Sequence, residues 1–484
     1  MEVFSKLYTV FYGINILLAL AIIFLERKNV SATWSWLMVL LFLPFVGFIL
    51  YILLGQNLRR RKLYKLNQEG FQFVQGLITE QQRKLQQRTF VFHDPAAQQY
   101  QDIMEMYTNS TYSVITQDNE VEVFTSGQEK FDSLIASIGE AKDHIHLLYY
   151  IFRNDSLGRE ILKALVRKAE EGVKVRVLYD DIGSLPLTRR FFADLKKAGG
   201  DVAAFFPSKI PYLNVRLNYR NHRKLAIIDG KIGFIGGFNI GDEYLGLNRY
   251  LGHWRDTHLQ LRGSAVHSLQ SQFILDWNLA SSRPVPFEAN VARYFPAAES
   301  KGNVAMQIVA SGPNSRWPHI LNGYLQMIYA AKESIYLQTP YFIPDESLLN
   351  ALKIAALSGV DVKIMLPFKS DNALAQWASS SYLGGLLESG VKCYYYVNGF
   401  LHAKTIVVDG KIASVGTANI DNRSMKLNFE INAFVYDTRT AGALQQIFLR
   451  DLEDCEEITK LRYANRSTAL RLKESVSRLL SPIM

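Results

Sequence analysis

The chain has 484 residues, 48% hydrophobic and 20% charged, a length that suits two globular lobes better than one core. Its two cysteines, Cys393 and Cys455, exclude a disulfide framework and a thiolate metal site, and fit a reducing compartment. A net charge of +9 favours an anionic partner without separating lipid from nucleic acid.

The first elements are two apolar runs. Leu7 to Leu25 is interrupted only by Asn15 and small polar residues, and Trp34 to Leu54 carries no charge. Each is long enough to cross a bilayer core as a helix. Glu26-Arg27-Lys28-Asn29 lies in the short connection, so the pair reads as a transmembrane hairpin over 1–55. A cleaved signal peptide is the weaker reading, because no small-x-small site is clear and a second span follows at once. Tyr8, Trp34, Trp36 and Tyr51 sit near the ends, where aromatic belts form. Arg59-Arg60-Arg61-Lys62 and Lys65 outweigh Arg27 and Lys28, so the expectation is a multi-pass cell-membrane protein with its large C-terminal part cytoplasmic. The same cluster is a topology signal or a contact for anionic headgroups; both readings stand.

Residues 56–105 are polar and Gln-rich at first, as in Glu80-Gln81-Gln82-Arg83-Lys84, and read as a connector. The remainder repeats itself. Ala141-Lys142-Asp143-His144-Ile145-His146-Leu147 resembles Ala331-Lys332-Glu333-Ser334-Ile335-Tyr336-Leu337, and the run from Glu171 to Val177 resembles that from Ser358 to Ile364. One unit drawn twice decides the architecture: a first lobe over 106–285 and a second over 286–484, joined near Ser281-Ser282-Arg283-Pro284-Val285-Pro286. Within each, a strand (Leu147 to Phe152), an amphipathic helix (Gly158 to Glu171) and a buried strand (Val173 to Tyr179) predict an α/β fold with a mixed sheet flanked by helices. The tail from Asp451 reads as charged helix whose apolar positions pack on the second lobe.

Each lobe carries one copy of a motif, over 217–244 and 397–424. His222-x-Lys224 is followed by Asp229, Gly236 and Asn239; His402-x-Lys404 is followed by Asp409, Gly416 and Asn419. Asp229-Gly230 and Asp409-Gly410 each lie between apolar runs, the strongest short-range sign of a two-residue hairpin turn. That turn pairs Ile228 with Lys231, sets His222 opposite Gly237 and His402 opposite Thr417, and leaves the Asn just beyond. His and Lys two apart on a strand share a face. Each hairpin is therefore expected to present His, Lys and Asn at its open end. The Asp lies seven residues from its His, roughly 23 Å along a strand, which assigns Asp229 and Asp409 to the turn.

Two histidines brought to one point can process a phosphodiester without a metal. One neutral imidazole attacks phosphorus and forms a phospho-histidine, while the other donates and later accepts a proton. Lys224, Lys404, Asn239 and Asn419 would neutralise the crowded phosphate oxygens. Neither lobe holds both histidines, so the site is expected where the lobes meet. Asp256 and Glu430 occupy equivalent positions in the two units. Each reads as a surface acid or as the partner that orients a histidine. No metal and no cofactor is expected: His144, His146, His253, His258 and His267 have no regular ligand spacing. Tyr394-Tyr395-Tyr396 reads as a core strand. Gly233 to Gly241 lacks the strand-turn-helix setting of a nucleotide loop.

These residues resemble the phospholipase D superfamily and, within it, the bacterial cardiolipin synthases. The narrower resemblance rests on the run from Ile235 to Tyr244, on Trp254-Arg255-Asp256-Thr257-His258, on Thr339-Pro340-Tyr341-Phe342-Ile343-Pro344-Asp345, on the run from Gly416 to Ser424, and on the two N-terminal spans. It implies transfer of a phosphatidyl group from one phosphatidylglycerol to another, giving cardiolipin and glycerol. It makes His222 the nucleophile and His402 the acid/base, although near-symmetry leaves the reverse open. It also implies crossed support, Asp256 for His402 and Glu430 for His222, and counts Asp229 and Asp409 as active-site signature residues. The first hairpin has Gly237 where many superfamily members have Ser and the second has Thr417, which places the hydroxyl contribution of the first hairpin in doubt. The partners implied are phosphatidylglycerol and anionic membrane lipid, with no nucleic acid. The rivals are another membrane-bound phosphodiesterase on the same scaffold, a lipid hydrolase or a tethered nuclease, and an inactive lipid-binding scaffold.

Overall fold

The computed structural model describes residues 12–20, 23, 30–43, 46, 47, 51, 75–111, 113–185, 187, 188, 190–207, 219–286, 291–299 and 302–480. The chain divides into two compact units, Met1–Arg60 with Ser208–Tyr219, and Arg61–Pro207 with Arg220–Met484.

In the first unit, a helix over 12–20 lies beside the helix Val30–Phe42. The Asn15 amide donates to the Leu40 carbonyl at 3.2 Å, and Trp36 meets Tyr51 edge-on at 5.3 Å. No helix among the described residues is long and apolar enough to cross a membrane. Much of both expected spans, and the whole Arg59 to Lys65 cluster, lies outside the described residues.

The second unit is built on one sheet, fifteen strands among the described residues, that runs through both lobes. From the centre outward the first lobe places Thr116–Phe124, His258–Arg262, Ile232–Gly236, Leu225–Ile228, His144–Tyr149, Lys174–Asp180 and Asp201–Phe205. The second repeats that order with Val304–Ser311, Glu430–Val435, Ile412–Gly416, Thr405–Val408, Ser334–Gln338, Asp361–Pro367 and Lys392–Tyr396, then adds Cys455–Glu457 at its edge. Thr116–Phe124 and Val304–Ser311 pair antiparallel and join the halves. Outward of the hairpins the strands of each half pair with one another in parallel, except Cys455–Glu457, which joins Lys392–Tyr396 antiparallel; the hairpin strands are antiparallel, so the sheet is mixed, with helices such as Ser156–Glu170 and Ala265–Ala280 packed on it.

Both Asp-Gly turns form. Asp229, Gly230, Asp409 and Gly410 all have φ between 54° and 66°, and the Lys231 and Lys411 N–H groups donate to Ile228 and Val408 at 3.0 Å. The expected register is off by one residue. Ile228 pairs with Ile232 and Val408 with Ile412, because Lys231 and Lys411 bulge out of the ladder after the left-handed pair. His222 and His402 consequently lie just before the paired strands, in segments held by other partners.

Two further expectations change. The stretch read as a connector supplies core: Leu85, Ala97 and Tyr100 are buried with Ile103, Met104 and Tyr107 against Ile320, Tyr324 and Ile335 of the second lobe. The tail packs on the second lobe only in part: Ile458 is buried there and Leu452 and Tyr463 lie against its core, whereas Leu472, Val476 and Leu479 are exposed.

The Asp229 carboxylate accepts the backbone N–H groups of Lys142, Asp143 and His144 at 2.8 Å each. Asp409 accepts those of Lys332, Glu333 and Ser334 at 2.9, 2.7 and 2.8 Å. Each Asp thus ties its hairpin turn to the start of the neighbouring strand. Asp229→Asn is expected to lower the thermal midpoint, a loss of about 1–3 kcal/mol, while activity per folded molecule is kept. An inactive variant of undiminished stability would contradict this role.

Candidate active site

The segment before each hairpin crosses to the other half of the sheet. Asn221 bridges Phe429 in parallel, the His222 N–H donates to the Phe429 carbonyl at 2.9 Å, and the Phe429 N–H donates to the Arg220 carbonyl at 2.8 Å. In the second motif, Phe400 and Leu401 pair in parallel with Trp254 and Arg255, and the His402 N–H donates to the Arg255 carbonyl at 2.7 Å. In both cases the residue after the partner segment is a carboxylate. Glu430 follows Phe429, and Asp256 follows Arg255. A parallel step of one residue therefore sets each histidine beside the acid of the other lobe.

The side chains complete that arrangement. His222 Nδ1 lies 3.0 Å from both Glu430 oxygens, and His402 Nδ1 lies 2.7 Å from Asp256 Oδ2. Ionised carboxylates only accept, so each Nδ1 carries the proton and donates it, leaving Nε2 unprotonated in the neutral ring. Tyr150 packs edge-on against the His222 ring at 4.8 Å, and Trp254 lies 5.1 Å from the His402 ring. The Lys224 ammonium donates to the His222 carbonyl at 2.6 Å and lies over the Tyr150 ring. Lys404 donates to the His402 carbonyl, with its ammonium 2.9 Å from His402 Nδ1.

All six groups are buried. Burial holds the His222 imidazole down at about 4, helped by Lys224 and Lys404 and opposed by Glu430. Burial, then Lys404, also lowers His402. Both rings are thus neutral when the site is free. Burial brings Lys404 down to about 8 and pushes Lys224 well below the ordinary lysine range. Burial alone would raise Asp256 and Glu430. Lys404 and His402 overcome it for Asp256, and His222 and Lys224 for Glu430, so both carboxyls stay ionised. Groups from both lobes act on one another here, Lys404 on His222 and on Lys224 among them.

The two carboxylates are held differently. Thr417 Oγ1 donates to Glu430 Oε2 at 2.5 Å. The equivalent of Thr417 is Gly237, and a Cβ built there would fall 1.9 Å from Asp256 Oδ1. The shorter acid thus sits where a side chain at 237 would be, and it takes its second hydrogen bond from the Thr257 N–H at 2.7 Å. The longer acid leaves room for a hydroxyl and uses it. The hydroxyl absent from the first hairpin is replaced by this backbone donor.

The expected Asn residues are brought to the same region but are partly engaged. Asn239 Oδ1 accepts the Ile151 N–H at 3.0 Å, and its amide donates to the Tyr244 hydroxyl at 3.1 Å. Asn419 is buried with its Oδ1 unpaired. Asp229 and Asp409 stay at the turns. Sequence reasoning missed two anchors. Arg223 grips Asp276 with hydrogen bonds of 2.5 and 2.7 Å and donates to the Glu430 carbonyl at 3.1 Å. Arg255 grips Asp451 at 2.9 and 2.7 Å. One adjoins a histidine and the other a carboxylate. Their adjacency to those residues was legible, but their partners, 53 and 196 residues away, were not.

Residues 134–277 and 324–452 match the family model described as cardiolipin synthase, PLD-like domain, and residues 13–56 match one described as phospholipase D-nuclease N-terminal. The chain is 53% identical to the major cardiolipin synthase of Bacillus subtilis (strain 168) and 51% identical to a cardiolipin synthase of Listeria monocytogenes, in each case over 100% of both chains. Among solved structures it resembles a phosphatidylserine synthase of Haemophilus influenzae Rd KW20 with a TM-score of 0.58 at 17% identity. That likeness covers 75% of this chain and 95% of the other and speaks to the fold alone.

Two outcomes follow from this geometry. Gly237→Ser is expected to displace Asp256 and lower turnover on the order of 10–100-fold. Adding Asp256→Glu should restore part of it, by recreating the Thr417–Glu430 arrangement; a fully active Gly237→Ser, or no rescue, would contradict the size match. Lysine loses its charge as pH rises through its pKa, so kcat/KM, which reports the free enzyme, should fall above about pH 8. Lys404→Arg should lower the rate but remove that limb, since guanidinium stays charged. An unchanged limb would assign it to another group.

Proposed function

The chain belongs to the cardiolipin synthase family of phospholipase D-like proteins, and from that premise we propose that it makes cardiolipin from two molecules of phosphatidylglycerol through a phospho-histidine. It is a phosphatidyltransferase of the phospholipase D type. The observation that carries the mechanistic reading is the pair of crossed contacts, His222 with Glu430 at 3.0 Å and His402 with Asp256 at 2.7 Å.

His222 Nε2, neutral and oriented by Glu430, attacks the phosphorus of the donor lipid. A P–N bond forms as the P–O bond to the departing glycerol breaks, and His402 supplies the proton that glycerol carries away. The charge of the bound phosphodiester raises the pKa of His402, with Asp256 behind it, and makes that proton available. A hydroxyl of the second phosphatidylglycerol then gives its proton to His402 and attacks the same phosphorus. The P–N bond breaks, and both histidines return to their starting state. Lys224 and Lys404 neutralise the equatorial oxygens, assisted by the remaining N–H of Asn239 and by Asn419. Asp229 and Asp409 act by holding the hairpins and touch no substrate. Thr417 and the Thr257 N–H orient the carboxylates.

The lobe boundaries 106–285 and 286–484 are part of this reading. So are two N-terminal spans and cytoplasmic lobes; the family match over 13–56 and the uncharged run from Trp34 to Leu54 support them.

Full-length protein given phosphatidylglycerol should yield cardiolipin and free glycerol by mass spectrometry. Phosphatidic acid alone would mean a hydrolase, and no turnover would mean a scaffold. His222→Ala and His402→Ala should each abolish synthesis, because their steps are serial. Substantial activity in either variant would remove the two-histidine mechanism.

A further inference from the structure

The C-terminal helix Thr468–Leu480 buries two of its polar side chains while three of its large apolar ones face outward. Its polar residues Glu474 and Ser477 are 4% and 2% exposed, and Arg466 approaches Glu474 at 3.3 Å. Leu472, Val476 and Leu479 are 65%, 50% and 80% exposed. At positions i, i+4 and i+7 these three form one stripe, turned away from the helix Ala373–Glu388, on which Lys473 and Arg478 lie against Trp377 and Tyr382. On a helical projection Lys473 borders the stripe on one side and Arg471 and Arg478 on the other. The three are exposed, and the helix's one acid, Glu474, is buried, so every exposed charge on this helix is basic.

We propose that Thr468–Leu480 lies along an anionic phospholipid surface, with Leu472, Val476 and Leu479 in the acyl boundary and Arg471, Lys473 and Arg478 at the phosphates. An exposed apolar stripe between basic flanks is the pattern of a helix lying in the membrane interface. A second copy of the chain is the poorer occupant. A twofold contact through the stripe would bring basic residues of both copies together, with no exposed acid on the helix to answer them.

The test uses the full chain with vesicles. A fluorophore is placed at Val476→Cys in a Cys455→Ser background, Cys393 being buried. Vesicles of phosphatidylglycerol mixed with phosphatidylcholine, or of phosphatidylcholine alone, carry a lipid with a quencher just below the headgroup. The expected result is quenching in the anionic vesicles, reduced in phosphatidylcholine. It is lost in Arg471→Ser/Lys473→Ser/Arg478→Ser, a weakening on the order of a hundredfold for three basic residues. The comparison of vesicles needs only the label, so it stands if the triple variant is unstable. The proposal is overturned if lipid does not quench position 476 and a water-soluble quencher reaches it as freely as a label at exposed Lys163. Self-quenching between labels without lipid quenching would assign the stripe to a second copy and also overturn it. The readout needs no turnover, so its failure is separate from failure of the phosphatidyl-transfer reading.

Discussion

The site depends on a short parallel exchange of chain between the two halves of the sheet. Asn221 beside Phe429, and Phe400-Leu401 beside Trp254-Arg255, are only one or two residue pairs each. Yet they decide which carboxylate meets which imidazole. Once Phe429 is paired to the His222 segment, Glu430 has nowhere else to point. Once Arg255 is paired to the His402 segment, Asp256 is committed in the same way. Arg223 and Arg255 lock the exchange, Arg223 through one guanidinium nitrogen shared by both Asp276 oxygens and Arg255 by a bidentate fork on Asp451. The asymmetry between Gly237 with Asp256 and Thr417 with Glu430 shows how closely this geometry is packed. The two halves reach the same imidazole contact with acids of different length, and the opposite hairpin position compensates for the difference.

Burying two lysines, two carboxylates and two histidines is expensive unless each charge has a partner. With both imidazoles neutral, the ammoniums and carboxylates balance formally. Burial nevertheless pulls down the pKa values of Lys224 and Lys404 and of both histidines. An anion entering the site reverses that tendency, because a phosphodiester stabilises every cationic form around it. The free site is thus poor at holding positive charge and good at acquiring it when a phosphate arrives. This is the condition that the proton-donating histidine of the proposed reaction needs.

Much of this was legible in the sequence, for identifiable reasons. The twofold repeat, the Asp-Gly turns and the His-x-Lys pairs are local patterns with local causes, and they appear in space as the pattern implies. The distance argument for Asp229 and Asp409 rested on strand rise alone, and their carboxylates accept backbone N–H groups at the start of the neighbouring strands. The register was misread by one residue because Lys231 and Lys411 bulge after the left-handed pair, which residue identity does not announce. The burial of Leu85 and Tyr100 in the second lobe, the Arg223–Asp276 and Arg255–Asp451 grips, and the fit of Asp256 over Gly237 all join residues far apart in the chain. No periodicity encodes such pairs.

The crossed partnership of histidine and carboxylate can be read directly by nuclear magnetic resonance of the nine histidines labelled with nitrogen-15. Glu430→Gln should shift the Nδ1–H resonance of His222 and leave that of His402 in place, and Asp256→Asn should do the reverse. If each acid instead perturbs the histidine of its own lobe, or neither, the exchange between the halves is not what holds the site together.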